Sequence, residues 1–228
     1  MELGKAFGFV FEDEQWIVTL LLGGLIMLIP VVGQIVMIGF MLETARNVAR
    51  GDFRPLPKWN TFGDKLVQGF YGFILQLVYL LPLLIVTMVF SCMAISTGAI
   101  MARTSDEAGG SVILLTMVCL VPLMVILGIA VQPFILAGLV RMLQQNSMSA
   151  GLQFRTVIHM VRSDLGTWII LWLLQILCSF LGSAGFTLLW VGVLFTFPYS
   201  QAVFGHLLGQ VMKQKEESQL PAAPYQPL

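Results

Sequence analysis

Charge in this chain is confined to a few stretches, and long apolar runs separate them. The runs are Trp16 to Leu42, Phe70 to Met101, Ser111 to Val140 and Thr167 to Gly209, and none contains Asp, Glu, Lys or Arg. An ionised side chain at the centre of a bilayer costs at least ~2.5 kcal/mol on insertion scales. A membrane therefore selects this segregation. The implied fold is an all-α, polytopic transmembrane helical bundle of about six spans, at roughly 20 residues per span.

Composition agrees. The 228 residues are 57% hydrophobic and 11% charged, against about 25% charged in soluble domains. The mean hydropathy is +0.89. So many spans leave no room for a separate soluble domain, so residues 1–212 read as one transmembrane domain. Cys92, Cys119 and Cys178 lie in apolar runs without paired spacing and read as small buried hydrophobes. Met1 to Gln15 carries Glu2, Glu12, Asp13 and Glu14 beside Lys5. It lacks the basic start and small-residue cleavage site of a signal peptide, so none is expected.

The first run is too long for one ordinary crossing and is broken at Pro30 and Gly33. Two arrangements fit: a helical hairpin, Trp16–Leu28 and Gln34–Ala49, or one long kinked helix. The hairpin is favoured, because Pro removes a backbone donor and Gly permits a tight reversal. The second arm leaves through Arg46, Asn47 and Arg50, and Gly51 is a natural stop. An extended Pro-rich segment follows, with Trp59 suited to the headgroup zone. Thr61 and Asp64 have capping-box spacing, and Phe62, Leu66 and Phe70 form one apolar face. This predicts a short interfacial helix turning into a span from Phe70 to about Thr97.

The next span starts near Ser111, with kinks expected at Pro122 and Pro133. Residues 149–162 form a second interfacial helix. Phe154, Val157, Ile158 and Val161 share one face, and Arg155, His159 and Arg162 the other. Spans from Leu165 to Leu181 and onward to about Val211, interrupted by Pro198, complete the bundle. Residues 213–228 read as a disordered, polar and Pro-rich cytoplasmic tail.

In this layout one side of the membrane receives Lys5, Arg46, Arg50, Arg54, Lys58, Lys65, Arg141, Arg155, Arg162, Lys213 and Lys215. The other receives only Arg103. The positive-inside rule then puts both termini in the cytoplasm of a multi-pass protein of the cell membrane. The chain also reads as internally repeated over 33–97 and 132–181. Gly33-Gln34, Gly39, Arg46-Asn47, Gly51 and Leu66 in the first unit match Gln132-Pro133, Gly138, Gln145-Asn146, Gly151 and Leu165 in the second. Pro198, Gly205 and Gly209 suggest a fading third copy.

The segment Arg46-Asn47-Val48-Ala49-Arg50-Gly51, then Leu56-Pro57-Lys58-Trp59, Phe62-Gly63-Asp64, Gly69 and Tyr79-Leu80-Leu81-Pro82 resembles a known family. The resemblance is to the bacterial and archaeal membrane proteins grouped as domain of unknown function four thousand and thirteen. Phe11-Glu12-Asp13-Glu14-Gln15-Trp16 is similar to that family's opening, and the resemblance extends to about Gln214. It implies a polytopic membrane protein in the inner membrane of a bacterium or archaeon, and supplies no activity. Gly39, Asn47, Gly51, Leu56, Pro57, Trp59, Gly69 and Pro82 are taken as motif and structural positions. In the second half Phe154-Arg155-Thr156 stands in place of the Leu-Pro-x-Trp core.

No catalytic constellation, metal-ligand spacing or cofactor motif is present, so no enzyme is expected. The intramembrane polar residues include Gln34, Gln76, Gln132 and Gln175, which are expected to join helices by hydrogen bonds. Gln34 and Gln132, at matching places in the repeat, are the candidate polar site. Arg46, Arg50, Arg54, Lys58, Lys65, Arg155, His159 and Arg162 are the candidate contacts for lipid headgroups or a partner. The expected function is a non-catalytic membrane module that engages lipid, a membrane-protein partner or a second copy of itself. Nothing points to nucleic acid. The alternative is a carrier or channel for a neutral or lipid-like solute.

Overall fold

A computed structural model describes residues 2–103, 106–187 and 191–219, and its regular structure among them is helical. Nine α-helices follow in order: α1 Leu3–Gly8, α2 Trp16–Met27, α3 Val32–Arg50, α4 Phe62–Met101, α5 Asp106–Gln144, α6 Met148–Gly151, α7 Phe154–Ser163, α8 Leu165–Ser183 and α9 Val193–Gln219. Three helical stretches are long and apolar enough to cross a membrane: Trp59–Met101, Ile113–Gln144 and Leu165–Thr187. The expected count of about six is larger for a physical reason. Helix α2 has 12 residues, about 18 Å at 1.5 Å per residue. Helices α3 and α9 are buried on most sides and carry polar or charged residues toward one end.

The first apolar run is a hairpin. Chain reversal occurs at Leu28–Val31, where the Val32 N–H donates to the Pro30 carbonyl (2.7 Å) across Val31 at φ +64°. Near the turn Gly33 lies against Ile26 and Met27. At the far end Thr19 and Phe40 both meet Trp59.

Helix α3 is the axis of the bundle, packed between α4 and α9. Glycine permits both approaches. A Cβ at Gly39 would overlap the Lys65 carbonyl, and one at Gly69 the Ile35 carbonyl. On the other side a Cβ at Gly205 or Gly209 would stand 2.5 Å from the carbonyl oxygens of Met41 and Ala45. This Gly-x-x-x-Gly spacing is the close-packing device of helices in lipid, where apolar area alone does not drive association. The core around it holds Leu42, Leu75, Leu136, Leu139, Trp168, Leu207 and Leu208.

The expected interfacial helix before the third span is not separate. Helix α4 is continuous from Phe62, and Pro82 lies inside it. Thr61 is its N-cap residue but makes no side-chain cap; its hydroxyl accepts from Lys65 Nζ instead (3.0 Å). Helices α5 and α9 likewise run through Pro122, Pro133 and Pro198. Residues 149–162, expected as one helix, form two, α6 and α7. Helix α9 extends to Gln219, so residues 213–219 of the expected disordered tail are helical, and 220–228 lie outside the described residues.

Helices α4 and α5 are each about 60 Å long by helical rise. Their halves nearer Phe62 and Gln144 pack into the bundle, and their other halves form an arm. In the arm most apolar side chains are exposed, Met88 by 70% and Ile95 by 63%. Ala94 and Gly98 are buried on α4, in line with the partly buried Ser91 and Thr87. Small residues thus mark the seam, and Thr87 Oγ1 lies 3.0 Å from Met124 Sδ across it. Cys92 and Cys119 are exposed on this arm and only Cys178 is buried. The reading of all three as buried hydrophobes holds for Cys178 alone, because a two-helix arm has too little interior to cover the others.

Candidate functional site

Glu2, the end of α9 and most charged residues among those described gather at one pole. Gln210 on α9 holds Glu2 by both its backbone groups, accepting from the N–H (2.7 Å) and donating to the carbonyl (3.1 Å). Gln144 at the end of α5 donates to the Met212 carbonyl (3.4 Å). Gly51 closes α3 in the left-handed conformation (φ +80°), and the Asp52 N–H donates to the Asn47 carbonyl (3.0 Å). This is the expected glycine stop.

The Leu-Pro-x-Trp segment is fastened to this pole from several sides. Asn47 donates its side-chain amide to the Pro55 carbonyl (3.1 Å). Leu56 is buried among Phe9, Val10, Leu20, Met37 and Phe40. The Trp59 indole N–H donates to the Thr19 carbonyl (2.9 Å), and its ring stacks on Phe40 at 5.4 Å. Lys65 is fully buried beneath it, paired with Glu43 at 2.9 Å and donating to the Lys58 carbonyl and to Thr61. Its ammonium lies 5.5 Å from the Trp59 ring centre. Leu56 and Trp59 thus fasten the α3–α4 connection to α2, and Asn47 holds it to the end of α3.

Burial divides the expected basic surface. Lys65 is removed from it, because its charge is spent on Glu43 inside the clamp. Arg46 is half-buried beside Gln68, Tyr71 and Met148. Arg54 is exposed and paired with Glu14 at 3.0 Å. Arg50 and Lys58 are exposed. Arg155, His159 and Arg162 stand together, around one shallow concavity on α7 with Thr156 and Ile158. Val157 and Val161 bury the opposite side of α7 in the core, and Phe154 and Ile158 are exposed. At the start of α8, Asp164 accepts from Lys215 of α9 (2.6 Å) and from the Thr167 N–H. The Lys215 hydrogen bond, with help from Thr167, holds its carboxyl below the usual range.

A second feature lies toward the other end of the bundle. A cavity of about 450 Å³ is lined by Gln76 of α4, Gln132 of α5, Gln175 of α8 and Gln201 of α9, with three serines and otherwise apolar residues. Gln34, expected here beside Gln132, is exposed on the first turn of α3 instead. The expected interhelical hydrogen bonds are not what these glutamines make. The Gln175 Oε1 is buried without a partner. The hydroxyls of Ser179, Ser183 and Ser200, also on the wall, each donate to a carbonyl of their own helix (2.8–2.9 Å). An amide oxygen buried without a partner costs about 1–3 kcal/mol, and among the described residues Gln175 Oε1 is the atom of this wall so placed. Gln201 escaped the sequence reading. Its signal was that, like Gln76, Gln132 and Gln175, it lies in an apolar run without charge.

Among the described residues no group of three or more His, Cys, Asp or Glu could hold a metal ion. No curated protein and no solved structure matches the chain. Residues 22–194, well over half of the sequence, match the family described as Protein of unknown function (DUF4013), and the chain belongs to that family.

Proposed function

We propose that this is a non-catalytic, multi-pass protein of the cell membrane, with both termini in the cytoplasm, that engages anionic lipid headgroups through α7. Six embedded segments, α2, α3, α4, α5, α8 and α9, make up its bundle and arm. The observation that carries the reading is the construction of α7. Its valines anchor it to the core, its basic residues share one open concavity, and Phe154 and Ile158 are left uncovered at its edge. A helix lying in the headgroup zone needs these three features. The cytoplasmic orientation is supported by the charge asymmetry, with eleven of the twelve Lys and Arg toward one pole and Arg103 at the tip of the arm.

Each basic residue near an anionic leaflet gains about 1 kcal/mol. Replacing Arg155 and Arg162 by Gln should therefore weaken binding of phosphatidylglycerol roughly 30-fold at low salt, and high salt should narrow the gap between variant and parent. The measurement is competitive lipid binding to the purified full chain in nanodiscs. Equal affinity of the R155Q/R162Q variant, with the fold intact, rejects the headgroup role and leaves α7 as a spacer. A salt-sensitive loss of a co-purifying protein rather than of lipid would point to a partner or a second copy instead.

A further inference from the structure

The glutamine-lined cavity lies away from α7, toward the end where α2, α8 and α9 reverse, and its chemistry is different. Among the described residues no Asp, Glu, Lys, Arg or His lines it. Each of Gln76, Gln132, Gln175 and Gln201 brings both a donor and an acceptor, and none of these side-chain amides hydrogen-bonds to a described residue. The hydroxyls on the wall are already engaged by their own helices. What the cavity offers is thus a set of neutral amides, facing inward among Ile38, Met41, Leu136 and Phe204. An ionised headgroup would leave its charge uncompensated there. A pure hydrocarbon would leave the amides unpaired. The volume of about 450 Å³ is enough for a glycerol unit with its ester groups. Ser183, the last residue of α8, and the exposed Phe186 beyond it line the cavity at the reversal.

We propose that this cavity binds the uncharged head of a diacylglycerol-type lipid. Its hydroxyl and ester carbonyls pair with the carboxamides, and its chains run into the bilayer. The site is separate from the headgroup contact at α7 and does not depend on it.

The test uses the full chain in phosphatidylcholine nanodiscs with a photoactivatable diacylglycerol. Saturable crosslinking to peptides of α5, α8 and α9 is expected. Unlabelled diacylglycerol should compete at least tenfold better than phosphatidic acid, which has the same chains and a charged head. Q132L/Q175L should lower affinity at least tenfold, and R155Q/R162Q should leave it unchanged. Absence of saturable crosslinking, equal competition by phosphatidic acid, or unchanged affinity in a folded Q132L/Q175L protein would each overturn the proposal. If Q132L/Q175L does not fold, the competition between the two lipids on the parent protein still decides. A loss in R155Q/R162Q alone would move the binding to α7 and overturn the cavity assignment.

Discussion

A methyl group at position 69 has nowhere to go, because the Ile35 carbonyl already fills the space. Gly69→Ala and Gly39→Ala should therefore destabilise the protein by at least ~1–3 kcal/mol, as overpacking does, or prevent folding. Gly63→Ala, on the first turn of the same helix with open space around it, should be neutral or gain up to ~1 kcal/mol of helix propensity. Thermal unfolding of detergent-purified variants distinguishes them, and a Gly69→Ala protein as stable as the parent would contradict the close packing. Val31 is the converse case. Its positive φ is strained for a β-branched residue, and its side chain is exposed, so Val31→Gly should raise stability by ~1 kcal/mol. The clamp is tested at Lys65. Lys65→Met leaves Glu43 without its partner and should cost about 3–5 kcal/mol, whereas removing both charges should cost much less.

At the scale of elements, the reversal at Pro30–Gly33 was legible because proline and glycine act locally. The glycine stop at Gly51 was legible for the same reason. The start of α4 was legible too, because Thr61 is its N-cap residue, but the absence of a side-chain cap was not. The capping-box spacing of Thr61 and Asp64 was correct, but the Thr61 hydroxyl turns to Lys65, a neighbour whose burial depends on Glu43 from another helix. The cavity was half-legible. Gln132 belongs to it, but Gln34 was added by repeat symmetry, and the helix rotation that turns it outward leaves no mark in spacing. Asp164 ties α8 to the end of α9 through Lys215, and this tie has a pH signature. Its carboxyl is held below the ordinary value of ~3.9, so its stabilisation is fully present above that value. It is lost as pH falls through the depressed value in the folded protein. The side chain is 35% exposed, and solvent screening limits the effect to about 1 kcal/mol or less. The melting difference between parent and Asp164→Asn should be constant from pH 5 to 8, by this same linkage, and shrink in more acidic buffer. A difference that grows on acidification would show that the tie is not made.

The whole molecule combines a charged pole, an apolar bundle and an apolar arm. Helices α4 and α5, about 60 Å long, are twice the ~30 Å hydrocarbon thickness. They cannot stand upright with bundle and arm inside one bilayer. Tilting or bending accommodates such a mismatch, and Pro82 and Pro133 lie near the root of the arm. The class of fold was legible throughout, since charge segregation depends only on the solvent. The division into bundle and arm was not, because the apolar runs of both halves look alike. The central claim is that the charged pole faces the cytoplasm and the tip of the arm emerges on the other side. Single cysteines at Ala102 and Ser218, in a chain with Cys92, Cys119 and Cys178 replaced, test it directly. A membrane-impermeant thiol reagent applied to intact cells should label position 102 and reach position 218 only after permeabilisation. Labelling of 218 but not 102 in intact cells, or equal labelling of both, would contradict the claim.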